Sequence, residues 1–73
     1  MSETTYSKIA FVAMIVLLFA KKHHRTEAVI YQYISRYGGD RLLIDNYADL
    51  HTCDFAQVVD DLGDYCRRKG GTL

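Results

Sequence analysis

Residues 9–20 read Ile9-Ala10-Phe11-Val12-Ala13-Met14-Ile15-Val16-Leu17-Leu18-Phe19-Ala20, twelve positions without one polar side chain. A bilayer core of about 30 Å needs about 20 apolar residues in helical form. Twelve residues at 1.5 Å rise reach only about 18 Å. On that count the run is too short to span a membrane unaided. A signal peptide fits poorly as well. Glu3 accompanies Lys8 before the run, and Lys21, Lys22 and Arg25 follow it, where a cleavage site belongs. The expectation is a buried helix of a soluble, cytoplasmic protein, with a membrane-associated segment over 9–20 as the alternative.

A helix that is apolar on every face is buried on nearly every side. Phe11, Met14, Ile15 and Leu18 repeat at i, i+3, i+4 and i+7 and are expected to face the chain's own core. Val12, Val16 and Phe19 form a second stripe, expected to be exposed or turned toward a partner. The competing reading makes both stripes core.

Working outward from the run, Thr26 is suited to cap a second helix with Glu27 in its first turn. Ile30, Tyr33, Ile34 and Tyr37 supply its apolar stripe, and Gly38-Gly39 stop it, Gly38 in the left-handed position. Asp40 is the expected cap of a third helix carrying Leu43, Ile44, Tyr47 and Leu50. His51-Thr52-Cys53 reads as a turn, and Asp54 as the next cap, with Gln57 in the capping-box position and Cys53 and Val58 as a staple. The last helix turns Phe55, Val58, Val59, Leu62 and Cys66 inward and Asp60, Asp61 and Asp64 outward. Gly63 beside that stripe suggests either a close helix approach or plain tolerance. No stretch alternates as a half-buried strand does. The predicted architecture is one all-α domain over 1–73, a compact bundle of about four helices (roughly 4–23, 27–37, 41–49 and 55–69) with no sheet.

Composition narrows the function. At 73 residues the chain holds one small domain, and its 49% hydrophobic content excludes disorder. Domains of about 60 residues bury only about 60% of their unfolded surface, so a core this small leaves little to shelter a catalytic pocket and invites completion by a partner. That partner is either a second copy, giving a homodimer or larger homo-oligomer, or a different protein. Lys+Arg 9 against Asp+Glu 9 disfavours a nucleic-acid binder. The zero sum hides a division, however. Residues 1–41 carry +3 and residues 42–73 carry −3, with no cation from Asp45 to Asp64. The acidic side chains Asp60, Asp61 and Asp64 either pair with the basic half or dock on a basic partner.

The remaining chemistry-bearing residues give weaker signals. Lys21-Lys22-His23-His24-Arg25 has cations for phosphate, which keeps a weak DNA-binding regulator as a further alternative, but a helix C-terminus attracts cations by its dipole alone. Asp49, His51, Cys53 and Asp54 are possible metal ligands without the paired spacing of a zinc site. Cys53 and His51 offer a thiol and a base only two residues apart. His51, Thr52 and Asp54 are better read as a structural turn bonding the backbone ends of the two helices that meet there. No catalytic, cofactor-binding or metal-binding residue is assigned, and no cofactor is expected. Among the tyrosines, Tyr31 points away from the Tyr33 and Tyr37 side and is the best candidate for an exposed aromatic anchor.

The order of these motifs resembles a known family. An apolar first helix, Thr26-Glu27-Ala28, Tyr37-Gly38, Leu43-Ile44-Asp45-Asn46-Tyr47, Leu50-His51-Thr52 and a closing helix with Val59-Asp60-Asp61 and Tyr65 follow one another over about residues 6–69. This is similar to a family of short bacterial domains of unassigned function that carry a Leu-His-Thr element and are often encoded beside toxin-like genes of ADP-ribosyltransferase type. The resemblance implies an antitoxin or accessory role and carries over no catalytic residue. Two features depart from it: the apolar run is unusually unbroken, and Gly38-Gly39 stands where a Gly-plus-apolar pair is expected.

Overall fold

The apolar run lies within a longer helix, α1 (Glu3–His23), in the computed structural model, which describes residues 3–73. At 21 residues, with an 18-residue window of mean hydropathy 1.5, α1 is long and apolar enough to cross a membrane by length and composition. The helix outruns the unbroken apolar stretch because polar turns at Glu3–Lys8 and Lys21–His23 extend it at both ends. Four helices follow: α2 (Glu27–Arg36), α3 (Gly39–Asp45), α4 (Tyr47–Leu50) and α5 (Phe55–Arg68), with no strand among the described residues. The fold is all-α.

α1 touches α2, α3 and α5 and supplies the largest share of the core. Its buried residues are Phe11, Val12, Ile15, Val16, Phe19 and Ala20. At about 100° per residue these positions cover roughly half the helix circumference, centred on the Val12 and Phe19 side. The expected outer stripe is therefore core, with Val12 9% exposed and Phe19 fully buried. Met14, expected inside, is 43% exposed at the opposite edge of that arc. The cause is geometric: helices on two flanks of α1 bury a broad arc spanning most of both stripes. Phe11 meets the edges of Tyr47 and Phe55 at ring-centre distances of 5.5 and 5.4 Å, tying α4 and the start of α5 to one end of α1. Phe19 does the same at the other end, against Tyr33 of α2 at 6.1 Å. Ile30, Ile34, Leu43, Val58, Val59, Leu62 and Cys66 complete the core. Burying each large aliphatic or aromatic side chain stabilises by about 1.5–3 kcal/mol, so the core outweighs any surface pair.

The helix ends follow the sequence with three corrections. Thr26 Oγ1 accepts from Val29 N–H at 3.2 Å, and Asp54 accepts from Ala56 N–H at 2.8 Å, as their cap roles require. Gly38, at φ +78°, both ends α2 and opens α3, so Asp40 sits in the first turn of α3 and is not its cap. The helix expected over 41–49 is two, broken at Asn46, whose side-chain amide donates to the Leu42 carbonyl at 2.9 Å and competes with the helical ladder. Gln57 donates to Asp61 at 2.9 Å and so closes no capping box, and Cys53 is exposed.

Close approach falls on a different glycine from the one the sequence suggested. A Cβ on Gly39 meets Leu62 Cδ1 at 2.9 Å, the Ile34 carbonyl oxygen at 3.1 Å and Ile34 Cβ at 3.2 Å. A Cβ on Gly63 meets only the Arg67 guanidinium, at 3.3 Å or beyond. Gly39→Ala is therefore expected to destabilise by about 1–3 kcal/mol through overpacking against backbone and core. Gly63→Ala meets only the far end of the long Arg67 side chain and gains helix propensity, so it is expected to be neutral or to stabilise by up to about 1 kcal/mol. Urea midpoints of the two variants check the contrast, and equal losses would contradict it.

Candidate interaction groove

The turns that start α2 and α3 bring their first residues beside α1. Thr26 caps α2 and so holds Glu27, Ala28 and, one turn on, Tyr31 along the middle of α1. The Gly38 turn likewise brings Asp40 and Ile44 of α3 to the same place. Between them lies an open groove of about 420 Å³. Its floor is Val12, Ala13 and Val16, with Ile9 at one end, 51% exposed. Tyr31, 48% exposed, stands at the edge. The two ionisable carboxyl side chains that line it are Glu27 and Asp40, and no Lys or Arg does.

Those two carboxylates differ from the acids of α5. Asp60 pairs with Lys22, Asp64 pairs with Arg67, and Asp61 accepts from Gln57. The proposed acidic docking set is thus engaged within the chain, and the Lys22–Asp60 pair joins the basic half to the acidic half. Neither Glu27 nor Asp40 belongs to the ion pairs among the described residues. Of the residues expected to bind a partner, Val12, Val16 and Tyr31 come together in the groove. Phe19 is sealed in the core, and Asp60, Asp61 and Asp64 lie on α5.

Sequence reasoning missed Ile9, Ala13, Glu27, Ala28, Asp40 and Ile44 as groove residues. For Ile9 a signal existed, since it precedes Val12 by three and Val16 by seven positions on one helical stripe. For Glu27 and Asp40 none did: each reads as an acid favoured by a helix dipole, and only the packing of three helices aims both at one place.

The turn after α4 is occupied by backbone bonding. His51 stacks on Tyr47 at 4.4 Å, and its Nδ1 donates to the Tyr47 carbonyl at 2.7 Å. Thr52 Oγ1 donates to the Asp49 carbonyl at 2.9 Å, and the Cys53 thiol donates to the same oxygen at 3.4 Å. His51 and Thr52 therefore both serve the end of α4, while Asp54 serves the start of α5. The imidazole Nδ1 and the thiol are spent on carbonyls and not on each other. Among the described residues no three His, Cys, Asp or Glu side chains gather to hold a metal ion. Burial pushes the Cys66 thiol pKa up, which keeps it protonated.

The basic cluster ends α1. His24 takes the left-handed conformation at φ +55°, and Arg25 N–H returns to the Ala20 carbonyl at 3.0 Å. His23 stacks on Phe19 at 4.7 Å. Its pKa is lowered from 6.5 by burial first, then by Lys22, Arg67, Arg25 and His24. Arg67 among these shows that the end of α5 adds to the same positive neighbourhood.

Residues 10–69, most of the chain, match the family described as "Protein of unknown function (DUF3791)", and the protein belongs to it. No curated protein and no solved structure matches the chain. The family description carries no chemistry, so the titration of His23 is tested on the fold itself. Because its folded pKa lies below 6.5, the unfolded state binds the proton more readily. The stability involved is fully present above pH 6.5 and is lost as the pH falls through that value and then through the folded one. The urea midpoint of the wild type is expected to drop more between about pH 7.5 and 5 than that of His23→Phe, and parallel drops would remove the assignment.

Proposed function

We propose that this protein is a non-catalytic interaction module, an antitoxin or accessory partner of a toxin-like protein encoded beside it in a bacterial genome, acting in the cytoplasm. The observation that supports this is the groove: an open apolar groove between three helices, where Ile9 at one end and Tyr31 at the edge are each about half-exposed. Tyrosines of this kind, apolar in body and polar at the tip, supply much of the energy at protein interfaces. The engagement of His51 and Cys53 with backbone carbonyls leaves that turn a structural role. The Leu-His-Thr order and the toxin-like neighbours come from the family resemblance, and the groove is what gives such a role a surface.

A second reading rests on the length of α1, which allows it to cross a membrane. It fits the packing less well. Moving α1 into lipid withdraws Phe11, Ile15 and Phe19 from a core in which Ile30, Ile34, Leu43 and Leu62 are almost wholly buried.

Co-expression with the adjacent gene product is expected to give a complex that co-purifies with the wild type. Tyr31→Asp, at an exposed position, is expected to weaken it about 30-fold or more while leaving the unfolding free energy from urea titration within about 0.5 kcal/mol of wild type. A stable monomer that captures no neighbour would overturn the reading. Recovery only in detergent-solubilised membranes would replace it with the membrane alternative.

A further inference from the structure

The geometry points to one kind of occupant for the groove: a single amphipathic α-helix of a partner protein, with an apolar stripe flanked by Lys or Arg. The inference rests on the interaction reading above and adds the chemistry of what is bound.

Three observations carry it. The first is charge. Glu27 and Asp40 come from two different helices to the same apolar floor, and among the described residues no cation lines it and neither carboxylate is ion-paired. Burying an unpaired carboxylate is costly, so an apolar occupant without cations would raise the energy of both. An occupant with Lys or Arg at its flanks supplies the missing partners. The acids lie within a part of the chain that is otherwise basic, since residues 1–41 carry only Glu3 besides them.

The second is backbone hydrogen bonding. The described residues contain no strand, so the groove offers no sheet edge to an extended peptide. Against a floor of Val12, Ala13 and Val16, an extended segment leaves its N–H and C=O groups unpaired. A helix satisfies its own. The third is size. From Ile9 to Val16 the floor follows α1 for about 10 Å, two helical turns, which accommodates side chains at i, i+3 or i+4, and i+7 of a bound helix. An anionic membrane is disfavoured by the same two carboxylates.

The test is a titration of the ¹⁵N-labelled full chain with two helical peptides of about 14 residues. Both carry one leucine stripe at i, i+3 and i+7, one flanked by lysines and the other by glutamates. The lysine peptide is expected to shift the amides of residues 9–16, 27–31 and 40–44 and to bind at least tenfold more tightly than the glutamate peptide. Its affinity is expected to fall several-fold in Glu27→Gln/Asp40→Asn and again when salt is raised from about 50 to 500 mM. Because both substitutions are at the groove rim, the spectrum of the free variant reports directly that the fold is kept. Equal binding of the two peptides, indifference to the double substitution, or shifts elsewhere would overturn the proposal. So would capture by anionic phospholipid vesicles, or concentration-dependent shifts of the same amides without peptide, which identify a second copy as the occupant. If Tyr31→Asp breaks the natural complex but neither peptide binds, only the occupant's chemistry is wrong. If the lysine peptide binds but no neighbouring protein does, only the toxin-partner reading fails.

Discussion

The apolar surface of α1 runs right round the helix over Ile9–Ala20, and covering it is the constraint to which the other helices answer. α5 closes one flank through Val58, Val59 and Leu62, while α2 and α3 close another through Ile30, Ile34 and Leu43. Phe11 and Phe19 fix the two ends, Phe11 through aromatic contacts to α4 and α5 and Phe19 through one to α2. The four helices that follow α1 do not complete the cover. Ile9, Ala13 and Met14 remain outside, and the groove is what the incomplete cover leaves behind.

Local signals made most of the fold legible. Thr26, Gly38 and Asp54 act through groups within a few residues of themselves, so their positions announce helix ends directly. The apolar periods of α2 and α5 likewise marked Ile30, Ile34, Val58, Val59, Leu62 and Cys66 as core. α1 resisted the same treatment for a physical reason. A helix apolar on all sides has no preferred face by composition, so its orientation is decided by its neighbours. That is why Met14 and Phe19 exchanged their expected places. Asn46 could be read as a helix residue or as one that bonds its own backbone, and the second won.

The candidate site was half legible. Tyr31, read as an exposed aromatic, stands half-exposed at the groove edge, whereas Val12 and Val16, read as exposed, are buried beneath it. The acids mattered in an unexpected place. A run of six aspartates from Asp45 to Asp64 drew attention by density, yet two of those on α5 meet cations of the chain itself. Glu27 and Asp40, thirteen residues apart and unremarked by charge counting, join no ion pair among the described residues and meet at one groove. Density along a sequence measures how many charges there are, and packing decides which of them stay available.

The order of the helices along the chain has a consequence in time. α1 leaves the ribosome before every segment that covers it, and Leu62 of α5 is made more than 40 residues after Ala20. At about 5–20 residues per second, the α5 flank of α1 waits roughly 2–8 s for its cover. During that interval α2, α3 and α4 are the helices made to cover α1, and the flank that Val58, Val59 and Leu62 close stays open. The α5 side of the core is therefore the last to close, and the order of synthesis sets the order in which the apolar surface of α1 is covered.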